Sequence, residues 1–359
     1  MTPTSSGPKN QQERAKPAVH PAPKLLSVKN LIRREKDVLD MLGRDKLVEM
    51  FHRMMLIRAF EQRCEQAYQQ RKIGGFLHLY IGQEAVAVGM LAAVREDDYV
   101  STSYRDHGIA LAMGIPPEPL MAELFGKSTG ISRGKGGSMH FYSKEKNLLG
   151  GHGIVGGQIP VGTGAAFTAR YQETDRVSMV FFGEGAMQQG VFHESANIAA
   201  LWQLPCIYVV ENNQYAMGTS FERTSAVSDL TLRAQGYNMG GYPVDGMNLL
   251  ECFHVMHDVV EERRKHPGPA LIEAKTYRYR GHSISDPANY RVKEEVEGYQ
   301  KVDPIEQVRR LLAELKWLSE DDSKDLEKQA RKEAVDAMQY AEESPDPDLS
   351  ERDLHVYAD

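Results

Sequence analysis

Apolar positions along the chain follow two different rhythms, and the switches between them set the predicted elements. From Asp45 to Lys72, Leu47, Met50, Phe51, Met54, Ile57, Phe60, Cys64 and Tyr68 recur every three or four residues. That spacing predicts one long amphipathic helix, closed by Gly74-Gly75. Short, largely apolar runs predict buried strands at Val177–Phe182 and Cys206–Val210, and Asp98–Ser103 and Ala270–Tyr277 also read as strands. Helical spacing returns in a small-residue stretch running to Val94, at Val191–Trp202 and at Leu249–Arg264. It returns again from Asp303, where Ile305, Val308, Leu311, Leu312 and Leu315 share a face suited to packing or a subunit contact. Thr219–Asp245 reads as loop and short helix.

The order strand, Gly183-Glu184-Gly185, helix, strand, Glu211-Asn212-Asn213 is a βαβ unit with parallel strands. The fold class it predicts is α/β, a parallel sheet with helices on both faces and helical additions at the N- and C-terminal sides. Residues 1–27, with Pro3, Pro8, Pro17, Pro21 and Pro23 and little to bury, are expected to form a disordered arm. Residues 28–300 are expected to form one cofactor-binding domain and 301–359 a helical extension.

In such a unit the loops at both strand ends meet at one sheet edge, where α/β proteins bind ligands. Glu184 and Asn213, 29 positions apart, therefore come together. A carboxylate and an amide oxygen there make a partial hard-oxygen cage suited to Mg²⁺, an ion that keeps phosphate oxygens and water as its other ligands. A metal-anchored diphosphate beside a helix N-terminus is the inference. Arg105, just past a strand, presents a fork that suits phosphate oxygens. His78 and His107 read equally as satisfied structural residues.

Ser132–His140 packs glycines around Lys135, either a mobile basic loop or a flap that orders over a phosphate. Gly151–Gly156 is a formal G-x-G-x-x-G. No apolar run precedes it, and Gly157 and Pro160 follow where a helix should start, so the dinucleotide reading is set aside. The glycines instead let backbone pass close to a flat ring.

Composition narrows the classes. The chain has 359 residues, 41% hydrophobic and 26% charged, with a net charge of −7 that gives no reason to expect nucleic acid or a membrane as partner. Its three scattered cysteines suit a reduced compartment. No apolar run approaches the roughly 20 residues of a membrane span. The N-terminal stretch, with Glu13 and a single arginine before Lys24, lacks the character of a mitochondrial presequence, so a bacterial cytoplasm is expected rather than a mitochondrial matrix.

Gly183-Glu184-Gly185 with the later Asn212-Asn213 resembles the thiamine diphosphate motif, a Gly-Asp-Gly followed by Asn-Asn. With FLHLYIGQEA, TSYRDHG, GKGGSMH, GGHGIVGGQIPVG, NQYAMGTSFER and YRYRGHSISDP, the chain from about residue 40 to 341 resembles the alpha subunits of the pyruvate dehydrogenase decarboxylating component. The resemblance implies a thiamine diphosphate-binding fold with Mg²⁺ held by Glu184, the Asn213 side chain and the Tyr215 carbonyl. Tyr104 and Arg105 are implied to bind the diphosphate, with Gly185 and Ala186 backbone beside it. Gly153 and Val155 are implied to meet the aminopyrimidine, His282 to reach the phosphate, and His78 to face the thiazolium and substrate. Glu184 departs from the usual Asp, and its extra methylene adds roughly 1.5 Å of reach, so the carboxylate must fold back or metal affinity falls.

The implied reaction is oxidative decarboxylation of pyruvate, with the cofactor as nucleophile and electron sink and the acetyl unit passed to a lipoyl arm. His78 and His282 are candidates for proton handling, since imidazole titrates near working pH. The implied partners are a β subunit in an α₂β₂ heterotetramer, with the chain inactive alone, and a lipoyl-bearing dihydrolipoamide acetyltransferase. Of the serine positions that carry phosphate in animal relatives, only Ser283 is retained; Asn289 and Val227 stand at the others, so Ser283 is expected merely to stabilise its loop. Acetoin and branched-chain 2-oxoacid dehydrogenases are the alternatives within this chemistry. An NAD-dependent oxidoreductase, and a scaffold subunit that has lost metal binding through Glu184, lie outside it.

Overall fold

A computed structural model describes residues 35–354 and 356; the arm expected over residues 1–27 lies outside the described residues. The long helix α1 (Lys36–Gln69) begins earlier than its apolar spacing predicts and breaks at Gly43, where φ is 66°. It ends before Gly74-Gly75, because Arg71 turns the chain at φ 61°. Helix α2 (Glu84–Leu91) and strand β1 (Tyr99–Ser103) follow, then α3 (His107–Ala112) and α4 (Pro117–Leu124). Next come β2 (Leu148–His152), α5 (Gln158–Tyr171), β3 (Ser178–Gly183), α6 (Gly190–Leu201) and β4 (Cys206–Asn212). A small hairpin, β5 (Tyr215–Ala216) and β6 (Thr219–Ser220), leads through α7 (Phe221–Thr224) to β7 (Gly240–Asp245), α8 (Leu249–Lys265) and β8 (Ala270–Lys275). The chain then runs through α9 (Lys293–Gln300), α10 (Pro304–Glu314) and α11 (Glu320–Glu343).

Six strands form one parallel sheet in the order β2-β1-β3-β4-β8-β7. Alternating residues along a strand point to opposite faces, and each face is covered. Val180, Phe182, Tyr208 and Val210 meet Ile159, Ala166, Phe192 and Ala199 of α5 and α6. Met179, Phe181, Ile207 and Val209 belong to a larger core with residues of α1, α2 and α8. The apolar face of α10 and the Ala330, Ala334, Ala337 and Ala341 ridge of α11 join that same core, with α11 lying on α1 and α4. Cys64, Cys206 and Cys252 are buried free thiols. No helix among the described residues is long and apolar enough to cross a membrane.

Two expectations fail at the sheet edges. The Gly-Gly-Tyr-Pro-Val-Asp stretch is strand β7, not loop; as an edge strand it pairs only with β8 and tolerates Pro243. The glycine-rich stretch is a strand–turn–helix after all, since β2 precedes it and α5 starts at Gln158. Pro160 falls in the first turn of α5, where no intrahelical donor is lost.

Strand order reverses at β1: the chain steps outward to β2, then crosses back to β3 on the other side. In parallel sheets the crevice at such a switch point, outside the carboxyl ends of the strands, is where ligands bind.

Candidate active site

Three segments reach this crevice: the residues after β1, after β3 and after β4. Gly183 pairs with Glu211 across the β3–β4 ladder, so the two following loops start level with each other. Glu184 is 1% exposed, and its Oε2 accepts the Asn213 N–H at 3.3 Å. The extra methylene is thus taken up by reaching across to the neighbouring loop. Its Oε1 has no partner among the described residues, and burial raises the pKa of the carboxyl.

The Asn213 Oδ1 and the Tyr215 carbonyl both accept from one atom, Nη1 of Arg278, at 2.9 and 2.6 Å. Two oxygens within reach of a single donor converge on one point, and a guanidinium holds it. The second Arg278 nitrogen donates to the Met217 carbonyl and to Tyr290 Oη. An unpartnered carboxylate oxygen beside a convergent amide and carbonyl oxygen is a donor set that fits a hard divalent cation.

Arg105 is buried and donates to the carbonyls of Leu79 and His282, drawing both segments onto the end of β1. Burial lowers its pKa, with the Arg278 charge adding to the effect. The Tyr104 ring lies 4.5 Å from that of His78 and 5.5 Å from that of His282, and the two imidazoles are 5.1 Å apart. Burial, then the Arg105 charge, pushes His78 down to about 2 and His282 down to about 3. Burial and the neighbouring guanidinium favour the neutral form of both rings, and an anion placed beside them would move both upward.

A cavity of about 200 Å³ opens among these groups, bordered by Tyr104, Arg105, Glu184, Gly185, Ala186 and Asn213. Val155 and Tyr215 line it as well. Gly153 is not on its wall; it sits one turn away against the His140 ring. His78 and His282 pack on the Tyr104 ring instead of lining the cavity.

Other groups at this site escaped sequence reasoning. Glu211 lies inside β4, accepts a hydrogen bond from Tyr80 Oη, and is pushed up to about 7 by burial. Gln83 and Gln158 also border the cavity. Only Arg278 carried a signal, as a basic residue just past a strand. The glycine loop after Ser132 is tied down within the chain. The Glu123 carboxylate takes the N–H groups of Ser132, Gly134, Gly136 and Gly137 at 2.7–3.0 Å, while Arg133 and Lys135 pair with Glu351. His107 is structural, held between Glu61 at 2.9 Å and Ser138 at 3.0 Å. Ser283 lies 3.1 Å from Ser285 within its own loop.

A parallel, doubly covered sheet with a polar cavity at its switch point, flanked by arginines, is the architecture of a ligand-binding α/β protein. The chain belongs to the dehydrogenase E1 component family, whose family model matches residues 52–350. It is 50% identical over 305 residues to a protein of Rhizobium meliloti named pyruvate dehydrogenase E1 component subunit alpha, covering 85% of this chain and 88% of that one. Proteins of the same name in Zymomonas mobilis and Rickettsia bellii are 46% and 42% identical. Those matches cover 85% and 88% of this chain, and 86% and 96% of the relatives.

Proposed function

We propose that this chain is the α subunit of a thiamine diphosphate-dependent pyruvate dehydrogenase E1 component. The observation that carries the reading is the convergence of the Asn213 and Tyr215 oxygens beside the unpartnered Glu184 oxygen at the switch point. Family membership and the names of the relatives support the same chemistry. Glu184, the Asn213 side chain and the Tyr215 carbonyl would hold Mg²⁺, and Tyr104, Arg105 and His282 the diphosphate, beside the backbone of Gly185 and Ala186. Gly153 and Val155 would face the aminopyrimidine. Bound thiamine diphosphate supplies the electron sink that a 2-oxoacid needs to lose CO₂.

The chain's own residues position and exclude. Arg105 sets positive charge at the anion's side of the cavity and ties the 78–80 and 282 segments over it. His78, neutral and with Nδ1 unpartnered among the described residues, offers one hydrogen bond toward a substrate oxygen or proton. The Tyr104, His78 and His282 rings close one side against water.

The α-subunit reading implies a β-subunit partner, and we extend it to an α₂β₂ assembly in a bacterial cytoplasm that delivers acetyl groups to a lipoyl-bearing acetyltransferase. Residues 28–300 would carry the cofactor site and 301–359 the helical extension. The test is kcat/KM for pyruvate, 2-oxoisovalerate and acetoin on the chain assembled with its β partner. Preference for pyruvate supports the reading; preference for either competitor reassigns the substrate. Thermal stabilisation by NAD, and not by thiamine diphosphate with Mg²⁺, would replace the chemistry altogether.

A further inference from the structure

Gln83 stands at the N-cap of α2, at the end of a turn whose backbone is fixed from several sides. The Tyr80 N–H donates to Glu61 Oε1 at 2.7 Å, the Gln83 N–H to the Tyr80 carbonyl at 3.1 Å, and the Gly82 N–H to Glu84 Oε2 at 3.0 Å. From the other side the Tyr279 N–H donates to the Ile81 carbonyl at 3.0 Å. Gly82 has φ 103°, and a Cβ there would overlap the Tyr277 carbonyl, so the turn lies flush on the segment that carries Arg278.

The side chain itself is 0% exposed and makes no cap bond to α2. It borders the same cavity as Arg105, Glu184 and Arg278. Neither Nε2 nor Oε1 has a hydrogen-bond partner among the described residues. A buried amide with both polar atoms unpaired costs free energy. The constrained turn holds the side chain on the cavity wall, so its polar atoms are completed only by what fills the cavity.

We infer that Gln83 is a further ligand of the diphosphate end of the cofactor, an inference that rests on the cofactor reading above. Nε2 donates to an anionic oxygen, and Oε1 accepts from a water or hydroxyl in the same group's shell. The surroundings favour a neutral amide for this task. Arg105 already supplies charge to the anion, and Glu184 and Asn213 supply oxygens to a cation. An amide side chain adds a donor and an acceptor beside them without adding charge.

The test is calorimetric titration of thiamine diphosphate with Mg²⁺ into the full chain assembled with its β partner, alongside melting of each cofactor-free protein. Wild type is compared with Gln83→Met and Gln83→Glu. Gln83→Met is expected to bind roughly tenfold or more weakly. Its cofactor-free form should melt no lower than wild type, because no hydrogen bond within the protein is lost. Gln83→Glu, with an anion facing the diphosphate, should bind more weakly still. Unchanged affinity in both variants overturns the inference. So does a cofactor-free Gln83→Met that melts several degrees lower, since the amide would then be part of the scaffold. A wild-type protein that takes up no thiamine diphosphate overturns the cofactor reading itself.

Discussion

Arg278 is 1% exposed and spends its guanidinium on the oxygens of Asn213, Tyr215, Met217 and Tyr290. Arg278→Met removes the donor from two buried acceptors, Asn213 Oδ1 and the Tyr215 carbonyl, so we expect a loss of about 2 kcal/mol or more in urea unfolding. Mg²⁺ with thiamine diphosphate should restore part of the loss by returning a cation to the same oxygens. Asp106 gives a pH test. Its buried carboxyl is pushed up to about 7 by burial, with Oδ2 accepting the Phe141 N–H at 2.9 Å and Oδ1 without a hydrogen bond among the described residues, 4.0 Å from His107 Nε2. A carboxyl whose folded pKa is raised contributes stability below its ordinary value near 4, and that stability is lost as pH rises through about 7. Asp106→Asn should therefore gain in melting temperature relative to wild type on going from pH 5.5 to pH 8; a difference independent of pH would count against the raised carboxyl. Glu184 and Asn213 were legible in the sequence because each follows an apolar run at a strand end. Gln83 and Glu211 were not, because one caps a helix and the other lies inside a strand, and long-range packing alone decides that each faces the cavity.

At the scale of elements, what positions the site is the fit of α5 on β3. A Cβ on Gly162 would overlap Val180 Cγ2, so only glycine lets the helix lie this close to the sheet. Gly162→Ala should cost about 1–3 kcal/mol through overpacking, read as a lower urea midpoint at unchanged slope. Strands β3, β4 and β8 announced themselves by largely apolar runs, since parallel strands covered on both faces are apolar on both. Strands β2 and β7 were hidden by their glycines and by Pro243, residues that an edge position tolerates and a central one does not. The missed β2 matters most, because it places the glycine turn that brings Val155 to the cavity wall.

For the whole molecule, α10 and α11 share one continuous core with α1 and the sheet. We expect one cooperative unfolding transition. In a Trp202→Phe variant, fluorescence from Trp317 next to α10 should report the same urea midpoint as far-UV circular dichroism of the entire chain; separated midpoints would mean that the C-terminal helices unfold alone. The charge balance and long amphipathic helices revealed a two-faced α/β protein, whereas the shared core required contacts between elements far apart in sequence, such as α11 with α1. The account stands on a divalent ion joining Glu184 and Asn213 to a diphosphate. Its most direct test is the affinity of thiamine diphosphate for the β-assembled protein with Mg²⁺ and with EDTA, in wild type and in Glu184→Gln. The account predicts binding that requires Mg²⁺ in wild type and is weakened tenfold or more in Glu184→Gln, with the fold intact. Equal affinity with and without the metal, or in both proteins, would contradict it.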